Sequence, residues 1–444
     1  MKALRFVILT AIVAALGLTA ASSFAEDVNI QGSNEMRWAD GREVLGGNDR
    51  VKRYFEDRLN LNMYYGNLRV GSRFTLLQPS EFGEYQTDVN TLDKRFIEYS
   101  NSGVDLRVGN FYSVWGRGLG LALIEDILQG FDSGLDGMHG HVELAGFEID
   151  GLAGRSEADY LGQVREAQVS AGQVSYRYPG GTSVIGLQGM LVTPAEEGIL
   201  SYDESRTWAG NYGWDGRSVS LWAEYAVEDI EGIDDRHDAV YASASWFGGN
   251  LSLFADFKRY HYYRYSGGTS SPGSAYAASI DILPFHSPPI VQREFTSPLF
   301  SKHPHIVRFD DEVGAQIEAS YNISGSNTIT ANYSQSSSFY EEDLWIPSID
   351  EVNSPYRQVF VEYTGYPTMD LYVSAWGGLD EDLVYTIEGD GAVRARTSWL
   401  RRSVLGGGGD YQLADDWSLK VQAEGGIVED VIKEASSIES ITII

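Results

Sequence analysis

The sequence predicts an all-β fold, an antiparallel up-and-down transmembrane β-barrel of about 18–20 strands. Three observations point to it. Short turns rich in Gly, Asn, Asp, Ser or Pro recur along the chain, and these residues supply the positive or fixed φ of a tight hairpin. Each turn is flanked by segments with period-2 alternation, and a longer, polar, often acidic stretch separates one hairpin from the next. Tight turns at one end and long connections at the other are the pattern of an outer-membrane barrel.

The elements follow in order. Residues 28–38 and 53–65 open the barrel; in the second, Leu59, Leu61, Met63 and Tyr65 oppose Arg58, Asn60, Asn62 and Tyr64. Gly66-Asn67 leads into 68–77. Segments 95–101 and 104–112 flank a turn at 101–103, and the Gly-rich 136–144 and 147–155 flank Ala145-Gly146. Segments 167–178 and 182–192 flank 179–181, with Gln173 and Arg177 fitting either face. Asp215-Gly216 joins 207–214 to 218–226, and the turn at 247–250 joins 239–246 to 251–263. In 311–321, Val313, Ala315, Ile317, Ala319 and Tyr321 share one face. Across the turn at 324–327, Ile329, Ala331 and Tyr333 do the same in 328–338. In 357–364, Val359, Val361 and Tyr363 alternate with polar residues, and Phe360 is the exception. A turn at 365–368 leads into 369–378. Finally 398–413 and 417–425 flank 414–416, with Trp417, Leu419, Val421 and Ala423 opposite Ser418, Lys420, Gln422 and Glu424.

That makes nineteen strands, and single-chain bacterial barrels have even numbers. Only the tail could supply another. Residues 428–444 contain Glu429, Lys433, Glu434, Ser436 and Ser437 and read as loop or helix, and Ile444 is not the terminal aromatic that barrels of this type usually carry. The expectation is a chain truncated or frameshifted near Ile427.

Composition and the first residues agree on the compartment. Lys2 and Arg5 precede an apolar run over 6–18, and Ser23-Phe24-Ala25 closes on a small-x-small pattern. Residues 1–25 are therefore expected to be a cleaved signal peptide, with the barrel over 26–427. The run is short for a membrane span. A mean hydropathy of −0.23 suits a wall whose other face is polar. Twenty-seven Tyr, eighteen Phe and ten Trp suit aromatic girdles. The absence of Cys removes thiolate, disulfide and Cys-zinc chemistry. A net charge of −30 excludes the basic face that nucleic acid requires. Acidic stretches at Glu196-Glu197, 228–235, 341–343 and 379–390 could gather divalent cations, or serve solubility alone.

Residues 266–310 interrupt the strands for longest. Six prolines between Pro272 and Pro304 exclude a central ladder, while Phe285, Ile290, Val291, Phe295, Leu299, Phe300 and Ile306 exclude a freely solvated tail. This segment is expected to fold onto or into the barrel, with Arg293 and Glu294 meeting inner-face charges.

Several stretches together carry a resemblance. Tyr64-Tyr65-Gly66-Asn67-Leu68-Arg69-Val70-Gly71 is followed by Arg95-Phe96-Ile97-Glu98-Tyr99, Arg107-Val108-Gly109-Asn110-Phe111-Tyr112 and Gly116-Arg117-Gly118-Leu119. Later come Ser287-Pro288-Pro289-Ile290-Val291-Gln292-Arg293-Glu294-Phe295-Thr296 and Asp310-Asp311-Glu312-Val313-Gly314. Over most of residues 28–425 the chain resembles a family of uncharacterised outer-membrane barrel proteins. The resemblance implies the barrel and the outer membrane, and no activity. It also implies members that continue past this chain's end.

Candidate sites are few. His286, His303 and His305 share the proline-rich segment with Glu294, Asp310 and Asp311, either as hydrogen-bonded loop residues or as metal ligands. Their irregular backbone places neither arrangement, and no metal or other cofactor is assigned. Arg117 lies in Trp115-Gly116-Arg117-Gly118-Leu119-Gly120. This is either a loop presenting Arg117 to the lumen or to the proline-rich segment, or a glycine kink that curves the sheet. Without a Lys-Ser or Lys-Thr it is no phosphate loop, and without a Gly-x-Ser-x-Gly elbow no hydrolase is indicated.

About twenty strands enclose more space than side chains fill, so the expected function is passive passage of ions or small solutes. The cations expected to line the pore are Arg58, Arg107, Lys258 and Lys420, and the anions are Glu98, Glu224, Asp256, Glu318, Glu362 and Glu424; rings of such charges set ion selectivity. No plug domain is seen before the first strand, which argues against active transport. The expected partners are outer-membrane lipid and the barrel assembly machinery. The other reading is a structural or surface-binding barrel closed by the proline-rich segment.

Overall fold

The computed structural model describes residues 28–45, 48–79, 89–127, 131–160, 163–194, 204–262, 285–293, 297–301, 305, 307–339, 343–389, 393–414, 417–432 and 440–443. The expected signal peptide, Glu196-Glu197, His303 and Glu294 lie outside these residues.

Nineteen long strands form an antiparallel up-and-down sheet in which each strand pairs with its neighbours in sequence. They begin with β1 (Val28–Leu45), β2 (Asn48–Tyr65), β3 (Leu68–Leu77), β4 (Val89–Asn101) and β5 (Val104–Phe111). Next are β6 (Leu135–Leu144), β7 (Phe147–Tyr160), β8 (Gln163–Arg177), β9 (Ser183–Pro194) and β10 (Ser205–Asp215). β11 (Val219–Ile230), β12 (His237–Gly248), β13 (Leu251–His261), β14 (Glu312–Ser324) and β15 (Asn327–Ser337) follow. β16 (Tyr356–Thr368), β17 (Leu371–Gly389), β18 (Val393–Ala414) and β19 (Trp417–Ile432) complete the series.

The tight turns fall where glycine or a small residue permits positive φ, as at Gly66 (55°), Gly103 (83°), Gly146 (86°) and Gly249 (59°). One turn differs from expectation. β16 continues to Thr368 through an irregular register after Gly365, so its turn lies at Met369-Asp370.

Three of the expected long loops are instead strand. β1 pairs with β2 up to Leu45↔Asn48, β7 with β8 up to Tyr160↔Gln163, and β17 with β18 up to Gly389↔Val393. The acidic stretch 379–390 is thus mostly ladder rather than loop. Backbone pairing needs no apolar alternation, so a hairpin with water on both sides leaves no period-2 signal. The tail departs from expectation for the same reason. β19 runs to Ile432, and Ser440–Ile443 (β20) pairs along it from Ile427↔Ile443. Among the described residues β1 pairs only with β2.

Period 2 separates the faces. In β11, Leu221, Ala223 and Tyr225 point outward and are exposed, while Glu224, Ala226 and Glu228 point inward and are buried. In β14, Ile317 and Tyr321 are exposed outward beside the inward Gln316 and Glu318. A one-residue slip would place inward charges against lipid, at about 2–4 kcal/mol for each Lys or Arg near the midplane and less for each Glu, so the register is specified. Phe360 lies on the inner face with Gln358 and Glu362, and it is buried there.

This topology places the turns at Gly66, Gly103, Gly146, Gly216, Gly249 and Gly325 at one end, and the closing pairs of the three extended hairpins at the other. Cysteines introduced at Asp234 and Asp343 should label in intact cells, and cysteines at Asn67 and Asp215 should not. The opposite pattern would invert the orientation.

Candidate functional site

Two segments leave the sheet at its long-connection end and pack against its inner face. The first, between β5 and β6, is a small hairpin in which Ser113–Trp115 pairs with Leu121–Leu123. Its tip is held by one wall carboxylate. Glu224 accepts the backbone N–H groups of Arg117 (2.6 Å) and Leu119 (3.2 Å), and Gln188 Nε2 donates to it at 3.4 Å. The glycines serve this close approach. Gly116 (φ 61°) lies against the Glu224 carboxylate, and a Cβ on Gly118 (φ 84°) would sit 2.7 Å from the Ser287 carbonyl. Of the two readings, the stretch is a loop, the tip of an inserted hairpin, rather than a kink within a wall strand. The Arg117 side chain is exposed, 5.3 Å from the Trp222 ring. Behind the tip, Trp115, Leu121 and Leu123 pack with Leu135, Val169, Met190 and Phe285. The outgoing chain is anchored by Arg73 to Glu125 at 2.5 Å, and by Lys94 to Asp132.

The second insert is the described part of the proline-rich segment. His286 Nδ1 donates to the Leu119 carbonyl at 2.8 Å, so the two inserts bind each other. Burial lowers the His286 pKa, and a single ring N–H is enough for this bond. Lys258 Nζ and Tyr260 Oη donate to the carbonyls of Ile290 (2.7 Å) and Pro289 (2.8 Å). Arg293 bridges two strands, reaching Glu318 and Glu362 at 2.8 Å each. Further on, Ser297 and the Leu299 N–H bind Glu424. Phe300 then packs on Phe360, Trp376 and Val404, which accounts for Phe360 on an otherwise polar face.

A buried charge network closes the segment's far end. Lys258 meets Glu312 at 2.5 Å, His305 Nε2 lies 3.5 Å from Glu312, and His305 Nδ1 lies 3.2 Å from Asp382. The ring stacks on Tyr356 at 4.2 Å. Gly314 leaves room for this, since a Cβ there would sit 2.7 Å from Lys258 Cε. Burial disfavours a charged His305, but Asp382 and Glu312 outweigh it and raise the pKa to about 9. Raised above an unfolded value near 6.5, it contributes stability that is complete below about pH 6.5 and lost as pH rises through about 9. The urea midpoint of the liposome-embedded protein should fall over that window, and His305→Gln should flatten the fall. An unchanged slope in the variant would remove His305 from the network.

The ten charges expected on the inner face fall into three groups. Five are engaged by the inserts. Glu224 and Lys258 are buried beneath them, while Glu318, Glu362 and Glu424 hold Arg293, Ser297 and Leu299. Four others bond within the wall: Arg58 to Glu56 (2.9 Å), Arg107 to Glu98 (3.2 Å), and Asp256, which accepts from Tyr241 Oη (2.8 Å). Lys420 is exposed, on the same face of β19 as Glu424 and in register with Asp410. Of the proline-rich histidines, His286 and His305 bind different partners and do not converge. Among the described residues no group of three or more His, Asp or Glu is placed to hold a metal ion.

Sequence reading missed the Asp380–Arg402 pair, which is bidentate at 2.8 and 2.5 Å and buried. It also missed Glu312 and Asp382 as partners of His305. Asp380 and Asp382 are inward wall residues rather than loop acids. The first insert did leave a trace: Leu119, Leu121 and Leu123 form an apolar alternation too short for a wall strand.

No curated protein matches the chain. Among solved structures it is similar to Pseudomonas aeruginosa OpdO, at 14% identity over 93% of this chain and 99% of that one, with a TM-score of 0.44. It is similar to Pseudomonas aeruginosa OpdK with vanillate, at 15% identity over 81% and 95% and a TM-score of 0.41. A BenF-like porin from Pseudomonas fluorescens Pf-5 shows 10% identity over 91% and 98%, with a TM-score of 0.42. The strand register, not these likenesses, defines the fold. A family model matches residues 1–344, and the chain belongs to that family, the Family of unknown function (DUF6029).

Proposed function

We propose that this protein is an outer-membrane channel for passive passage of ions or small solutes, narrowed by its two inserted segments. One observation carries the reading. Toward the tight-turn end the inner face bears charges of both signs that stay partly open, including Arg69, Glu98, Arg107, His141 and Glu148. A barrel sealed for structure alone has no need of a charged inner face that stays partly open to water, and rings of charge are how pores select ions. Lipid and the assembly machinery are its partners in this reading.

Single-channel recording in planar bilayers tests it. The wild type should conduct. Deleting residues 272–304 should raise conductance and weaken ion selectivity, and Arg293→Ala should do the same to a smaller degree. The deletion also uncovers Phe360, Trp376 and Val404, so heat-modifiable gel migration must accompany it to verify assembly. An assembled wild type that never conducts would favour the sealed structural barrel.

A further inference from the structure

The described parts of the connection between β15 and β16, residues 338–339 and 343–355, lie on the outside of the wall rather than over its mouth. Arg259 establishes this. Its neighbours Lys258 and Tyr260 point inward, so Arg259 points outward, toward the side that bears the exposed apolar residues. Its guanidinium is covered by the connection. It donates to Asp343 (2.5 Å) and to the Leu344 carbonyl (3.3 Å), and it stacks on Phe339 (4.0 Å) and Trp345 (4.8 Å). Asp238 of β12 completes its pairing at 3.3 Å. Gln335, also outward, donates to the carbonyls of Pro347 (3.0 Å) and Ser348 (3.2 Å), and the Ser348 N–H donates to Ser337 (2.9 Å).

The segment is therefore inverted relative to a loop in water. The carbonyls of Leu344, Pro347 and Ser348 and the Ser348 N–H turn to the wall, while the large apolar side chains stay exposed: Trp345 is 55% exposed, Ile346 78%, Ile349 64% and Val352 62%. Satisfying the backbone internally is what a nonpolar medium demands. Below it the wall exposes Ile317, Tyr333 and Val359, which neighbour one another across β14, β15 and β16. Depth agrees as well. Leu251 at the tight-turn end and Arg259 are eight residues apart on β13. At about 3.3 Å per residue and a tilt of about 40° this spans roughly 20 Å, close to the ~25 Å apolar band of membrane barrels. Asp343, Asp350 and Glu351 are exposed on the same segment, so it belongs at the headgroup boundary and not deeper.

We propose that residues 343–352 form an interfacial lipid-binding anchor, seating Trp345, Ile346, Ile349 and Val352 in the outer leaflet at the headgroup–acyl boundary while shielding the outward Arg259 from hydrocarbon. The proposal rests on the membrane-barrel reading and is independent of whether the barrel conducts.

The chain has no cysteine, so single labels are clean. Full-length protein carrying Ile346→Cys, Ile317→Cys or Asp234→Cys is labelled with an environment-sensitive fluorophore and placed in phosphatidylcholine–phosphatidylglycerol vesicles. Position 317 should lose most of its emission to a spin label deep in the acyl chain, which tests the barrel itself. Position 346 should lose most of its emission to a spin label near the headgroup and resist aqueous iodide. Position 234 should respond to iodide alone. Quenching of 346 by iodide but not by lipid would overturn the anchor while leaving the barrel intact. Protection of 346 from both quenchers would assign the surface to a second copy of the chain and would also overturn it. Loss of the deep quenching at 317 would overturn both.

Discussion

Lys258→Met is expected to destabilise the protein by about 3–5 kcal/mol, the cost of leaving one member of a buried ion pair without the other. Lys258 and Glu312 are both buried, 2.5 Å apart, and Lys258 also donates to Ile290. In the variant Glu312 keeps, among the described residues, only His305 as a cationic neighbour, at 3.5 Å. Adding Glu312→Leu removes the stranded charge, so the double variant should recover much of the loss, minus the hydrogen bond that Glu312 accepts from the Arg308 N–H. Urea midpoints of the liposome-embedded protein give the comparison. Equal losses in the single and double variants would show that the two side chains are not energetically coupled.

The second large effect is expected at Glu224. Its carboxylate accepts the N–H groups of Arg117 and Leu119, and burial of Glu224 and Leu119 denies the Leu119 N–H water. Hydrogen bonds to a charged group contribute about 1.5–3 kcal/mol each, and stranded buried donors cost a further amount of similar size. Glu224→Ala should therefore cost about 3 kcal/mol or more and release the tip of the first insert. Single-channel conductance should rise and become noisier. Glu224→Gln keeps one acceptor oxygen and should fall between alanine and wild type. Conductance unchanged in an assembled Glu224→Ala protein would place the hairpin tip outside the permeation path.

The wall itself was legible in the sequence. Strands that span lipid must alternate, and tight hairpins must use Gly, Asn or their like. The pattern of Leu59, Leu61 and Met63, or of Val313, Ala315 and Ile317, therefore specifies both strand and face. The ends of the long hairpins were not legible, because β1, β7 and β17 extend into water, where neither face needs apolar residues. The same limit applies to the tail, where β19 continues to Ile432 on backbone pairing.

By itself, then, the sequence determined the all-β class and the order of the wall strands, and its period-2 pattern proposed a face for each inner charge. Only the tertiary structure decided which of those charges remain open. Arg117 meets Glu224 across 107 positions of sequence, Arg293 meets Glu362 across 69, and Ser297 meets Glu424 across 127. Period 2 encodes the side of a sheet from contacts two residues apart. It carries no information about which distant segment will lie against that side, and that is set by the packing of the two inserts within the wall.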